Sequence, residues 1–137
     1  MSPVVERLAE LRRHLAHLHE IRPRVTGPEI LRRDLTLHND VLFSLLTVCQ
    51  LVIDIAGALA ARSGQRFETY ADAVRSLAVY PELSSAVLQG IEKLPGFRNV
   101  VVHEYVTLDY TRVIAALDSL GPVEEFAEIA RRLDGSS

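Results

Sequence analysis

Tryptophan is absent from this chain, and cysteine, methionine and lysine each occur once. A single cysteine, Cys49, cannot form an internal disulfide, so nothing points to an oxidising compartment. Its apolar neighbours mark it as a small core residue rather than a nucleophile. With only four Phe and four Tyr, the core has to be filled by Leu, Val, Ile and Ala, which suits helix packing. There is no Walker A loop, no dinucleotide glycine fingerprint, no cysteine pair and no Gly-x-Ser-x-Gly elbow. Those absences remove the common nucleotide, zinc-ribbon and hydrolase readings. Glu6, Arg7, Glu10, Arg12 and Arg13 interrupt any apolar signal region, and a cytoplasmic protein is expected.

The 137 residues are enough for one domain with a real core, and 1–137 reads as a single domain. The net charge of −3 argues against a generic nucleic-acid coat. The charge is uneven. Residues 1–33 hold seven Arg against four Glu, so the acidic excess lies in the rest. This basic stretch is either a solvated helix face or a landing strip for RNA or an acidic partner.

Leu8, Leu11, Leu15 and Leu18 repeat at three and four residues, predicting a first helix over about Pro3 to Ile21. Pro23 and Gly27-Pro28 break the chain. A second element spans about Glu29 to Arg62, as one helix or as two kinked near His38-Asn39-Asp40. The run Val41 to Ala61 is apolar nearly all round. It approaches the length of a membrane span, but Gln50 and Asp54 lie inside it, and a buried central helix is the expected reading. Gly57 is a candidate for close helix approach. Thr69 is expected to cap a short helix ending near Leu77. Another helix is expected from Pro81-Glu82 to Lys93, with Pro95-Gly96 breaking the chain after it. Asp109 is expected to cap the last long helix, which Gly121-Pro122 kinks or divides. The fold class is all-α, an antiparallel up-and-down bundle of four to six helices.

Two constellations could carry chemistry. His14, His17 and Glu20 recur every three residues, as metal ligands on one helix face can, but no second ligand cluster accompanies them. The other is Phe97-Arg98-Asn99-Val100-Val101-Val102-His103-Glu104-Tyr105, an Arg-x4-His-x-Tyr pattern. Despite three valines it is read as helical, because the sequence offers no partner strand. Arg keeps its charge at any relevant pH, and His gains or loses a proton near neutrality. That pair can cleave RNA without a metal. His103 would serve the proton transfers, and Arg98 would stabilise the charge building on phosphorus-bound oxygens. Asn99 could bind phosphate or sugar, or simply brace the motif. Asp54 could orient His103 or pair with Arg98. Taken alone, the spacing equally fits a structural Arg/His pair, with Tyr105 a rim residue.

The chain from about Asp34 to Leu133 resembles the HepT-like family of the HEPN superfamily. The resemblance rests on Leu51-Val52-Ile53-Asp54-Ile55-Ala56, on Thr69-Tyr70-Ala71-Asp72-Ala73, and on the block from Gly96 to Tyr105. It implies a homodimeric, all-helical endoribonuclease toxin that needs no metal or other cofactor. Arg98 and His103 would be its catalytic pair and Asn99 an assisting residue at a cleft between two subunits. The product would carry a 2′,3′-cyclic phosphate. The implied partners are RNA and an MntA-like nucleotidyltransferase antitoxin, which would silence the toxin by transferring AMP to Tyr105. No membrane partner is implied. A non-catalytic HEPN subunit that binds a nucleotide or a protein partner is the alternative. The Arg- and His-rich N-terminal region matches none of the family's signatures.

Overall fold

A computed structural model describes residues 3–135. Among them are eight α-helices and no strand. The first, α1 (Pro3–Ile21), has the predicted bounds. Its leucine seam, together with Val4, is buried. The second element is divided into α2 (Pro28–Arg33) and α3 (Leu35–Arg62). The division falls at Asp34 and not at His38-Asn39-Asp40. The Asp34 carboxylate accepts a hydrogen bond from the Leu37 amide at 3.1 Å and caps α3. His38 lies inside α3 and secures this corner: its Nδ1 is 3.1 Å from the Leu31 carbonyl and 3.2 Å from the Tyr110 hydroxyl.

Central α3 packs against α1, α4 and α6, which accounts for much of its apolar surface, while Leu35 and Phe43 stay exposed. It is long and apolar enough to cross a bilayer, yet 56% of its most apolar stretch is buried inside the bundle. It packs antiparallel to α1. Arg7 faces Asp54, His14 faces Ser44 and His17 faces Asp40, so one register rises as the other falls. Gly64, at φ +80°, closes α3 in a conformation that glycine adopts without strain.

Beyond it come α4 (Tyr70–Ser76), α5 (Ser85–Glu92), α6 (Leu94–His103), α7 (Tyr110–Leu117) and α8 (Gly121–Gly135). The Thr69 hydroxyl accepts from the Asp72 amide at 3.0 Å, and Asp109 accepts from the Thr111 amide at 2.9 Å, so both predicted caps form. Two expectations differ. First, α5 begins at Ser85, because the Ser84 hydroxyl, not the proline upstream, caps it through the Val87 amide. Second, Pro95-Gly96 does not break the chain. Pro95 sits in the first turn of α6, where its missing N–H costs nothing. The break falls two residues before Pro95, at Lys93. The helix count exceeds the expected four to six because α2 and α6 are separate short segments.

Close helix approach occurs at Gly90 rather than Gly57. A Cβ on Gly90 would lie 2.4 Å from the Pro122 ring, whereas one on Gly57 would meet only ordinary contact with Phe67 at 3.6 Å. Gly90 therefore sets how α5 meets α8.

Candidate active site

From Phe97 to His103 the motif is helical, as predicted, and Tyr105 lies beyond the helix end. Val101 is buried and Phe97 and Val100 pack partly into the core, so α6 is held against α3 by one apolar edge. Arg98 lies mid-helix and half-buried. Its Nε donates to Gln50 Oε1 at 3.0 Å. Gln50 Nε2 in turn donates to Asp54 Oδ1 at 2.9 Å. Arg7 Nε approaches the other Asp54 oxygen at 3.7 Å. The result is a chain of polar contacts across three helices: α1, α3 and α6. A guanidinium has five N–H groups. Gln50 takes one, and Asn99 Oδ1 accepts another from Arg98 Nη1 at 3.3 Å. The cation is fixed in place with donors left for an anion.

Asp54 neither touches His103 nor pairs directly with Arg98. Its influence reaches Arg98 through Gln50. Sequence reasoning treated Gln50 only as an interruption of an apolar run. The available signal was that Gln50 and Asp54 are four apart and so share a helix face.

His103 is the last residue of α6 and is exposed. Five positions on from Arg98, it is turned about 140° around the helix axis from it. Among the described residues it makes no side-chain hydrogen bond or ion pair. Tyr105 follows in a single 3-10 turn (Tyr105–Thr107) and is 67% exposed; Val106 beside it is 83% exposed. Arg98, Asn99, Gln50 and Asp54 thus form one connected group, while His103 and Tyr105 stand at the helix end without protein partners among the described residues.

Cys49, next to Gln50 on α3, is buried, and burial pushes its thiol up to about 12. It is a neutral core residue, not a nucleophile. The His14, His17 and Glu20 candidate does not assemble. His14 Nδ1 lies 3.0 Å from the Ser44 hydroxyl, and burial lowers the pKa of its ring. His17 faces Asp40 at 3.4 Å. No group of three potential ligands comes together among the described residues. Much of the basic N-terminal region pairs within the fold, while Arg24 and Arg33 are exposed. Arg12 reaches Glu128, Arg13 reaches Glu10, and Arg22 reaches Asp118 at 2.7 Å. Arg32 pairs with Glu29 and lies over the Tyr110 ring.

Known proteins share this architecture. The family described as "Ribonuclease HepT-like" matches residues 11–130. An Archaeoglobus fulgidus protein described as "Putative RNase" is 28% identical over 93 residues, 68% of each chain. A chain from a crystal structure of a toxin–antitoxin with AMP-PNP superposes with a TM-score of 0.81 at 20% identity, covering 95% of this chain and 99% of that one. A structure of a tri-AMPylated Shewanella oneidensis HEPN toxin in complex with MNT antitoxin gives 0.78 at 20% identity, covering 98% and 99%. At that identity the two structures speak for the fold.

Proposed function

The chain belongs to the HepT-like ribonuclease family, and from that premise we propose that it is a metal-independent endoribonuclease toxin acting through Arg98 and His103. One observation carries the reading. The family match encloses a helix on which Arg98 is tethered by Gln50 while His103 stands free at its exposed end. Cleavage needs those two behaviours: a cation fixed where charge develops, and a base open to substrate.

The ribose 2′-hydroxyl attacks the adjacent phosphorus and gives up its proton to a histidine. The bond from phosphorus to the 5′-oxygen breaks, and that oxygen takes a proton as it leaves. The products are a 2′,3′-cyclic phosphate and a 5′-hydroxyl. Arg98 stabilises the equatorial oxygens of the transition state, and Asn99 assists by holding the guanidinium. Asp54 acts at one remove, by orienting Gln50.

One His103 cannot readily serve both proton transfers, so two subunits share the cleft, each contributing its own pair. The exposed apolar side chains Val102 and Val106 on either side of His103 favour such pairing. The complexes of the structural neighbours, one of them AMPylated, support an MntA-like nucleotidyltransferase as partner. In the silencing step the Tyr105 phenol oxygen attacks the α-phosphorus of ATP, loses its proton and displaces pyrophosphate. Its exposure makes Tyr105 reachable, and the added negative charge would occupy the place of an RNA phosphate. The expected location is the cytoplasm, where RNA and ATP are found.

Expression in bacteria without a nucleotidyltransferase tests this. The wild type should arrest growth, His103→Ala should not, and an active nucleotidyltransferase should relieve arrest while adding mass to Tyr105 in units of AMP. Arrest by a folded His103→Ala protein at equal abundance contradicts the proposal.

A further inference from the structure

A cavity of about 590 Å³ opens beside the motif, between the segment leading into α4 and the first turns of α6. Its walls include Phe67, Glu68, Tyr70, Pro95, Gly96 and Asn99. The volume lies within the ~300–1,000 Å³ of small-ligand sites. In a chain with so few aromatics, two stand exposed here: Phe67 is 38% and Tyr70 51% accessible. The Phe67 ring rests on Gly57 of α3, which lies on the same helix face as Asp54 and Gln50. The aromatic wall therefore adjoins the polar chain that tethers Arg98.

We propose that this cavity is a nucleobase subsite, in which Tyr70 and Phe67 stack on an unpaired base of single-stranded RNA next to the phosphate held by Arg98. The inference rests on the ribonuclease reading. Three observations favour a base over other occupants. Exposed ring faces are what unpaired bases stack on. Glu68 is the cavity's charged wall residue, and a carboxylate repels a phosphate but accepts N–H groups from a base edge. Asn99 lines the cavity and also accepts a hydrogen bond from Arg98. Base and phosphate of one nucleotide are a ribose apart, and Asn99 spans that gap. A base with an exocyclic amino group suits Glu68, so uracil is the poorest occupant.

The test uses a short 2′-O-methyl oligonucleotide containing adenine, which lacks the attacking hydroxyl, alongside the equivalent RNA. Binding is followed by fluorescence anisotropy and cleavage by gel, both with unmodified protein in EDTA. Tyr70→Ala should weaken binding about tenfold, in line with ~1–3 kcal/mol per stacked base, and Tyr70→Phe should restore it. Gly96→Leu, whose Cβ enters open space at the cavity wall, should weaken binding similarly. A uridine-only oligonucleotide should bind more weakly than the adenine-containing one. Equal binding by wild type and Tyr70→Ala overturns the subsite whatever the cleavage result, and so does a Tyr70→Ala effect confined to oligomeric state, which would make this wall a contact between copies. Absence of wild-type cleavage overturns the ribonuclease reading instead, whatever the binding result.

Discussion

Along α1 and the turn that follows it (Arg22–Arg24), several charged side chains pair within the protein itself. Arg12 reaches across to Glu128 of α8, Arg22 to Asp118, and His19 to Glu124. At the far end of α6 the pattern reverses: His103 and Tyr105 are exposed and make no side-chain contact with a polar partner among the described residues, and Val102 and Val106 beside them are 40% and 83% exposed. By composition α1 was the better candidate for a nucleic-acid surface. The structure pairs several of these charges within the fold and leaves the α6 end open to a partner. The α1 edge is scaffold, and the α6 end is where the molecule remains unsatisfied.

That contrast can be broken or sharpened by substitution. The largest effect belongs to the scaffold. Phe126, fully buried on α8, should cost about 3–5 kcal/mol as Phe126→Ala, read by urea denaturation, while cleavage per folded molecule stays unchanged. Loss of activity beyond loss of folded protein would blur the division. Gly90→Ala should cost about 1–3 kcal/mol, because the new methyl group overlaps the Pro122 ring. A neutral result would mean that α5 and α8 separate easily.

Next is an alkaline effect. The Cys49 thiol is raised by burial from 9.0 to about 12. Between those values the folded chain holds a proton that the unfolded chain has lost, so stability is intact below pH 9 and falls as pH rises toward 12. Denaturation of wild type and Cys49→Ala across that range should converge at the alkaline end. The smallest effect is that of the surface pairs at and just beyond α1. Asp118→Asn, which weakens the exposed pair with Arg22, should leave the urea midpoint almost where it was, because solvent screens an exposed pair, and leave RNA cleavage as it was. A clear fall in RNA affinity would return α1 to consideration as a binding surface.

Much of the fold was legible because its signals are local. Leucines at three- and four-residue spacing gave α1 its bounds, and the Thr69 and Asp109 caps formed as read. The helical state of the valine-rich motif was legible only by elimination, from the lack of a partner strand. The errors lie where long-range contact decides. Whether Pro95 breaks a helix or begins one depends on where the preceding helix stops. The need for a glycine at position 90 depends on a proline 32 residues later in the chain. At the site, Arg98, Asn99, His103 and Tyr105 were visible as a motif. The Gln50 bridge was not, since nothing in the sequence near Arg98 points to a residue 48 positions earlier.

The central claim is that the unsatisfied end of α6 does chemistry on RNA. The most direct measurement is cleavage of total cellular RNA in EDTA by purified protein with Tyr105 unmodified by intact mass, beside His103→Ala with matched thermal stability. The account predicts cleavage to fragments ending in 2′,3′-cyclic phosphate by the wild type, and a fall of roughly 10²–10⁴-fold in the variant. Equal cleavage by both proteins, or none by the unmodified wild type, would contradict it.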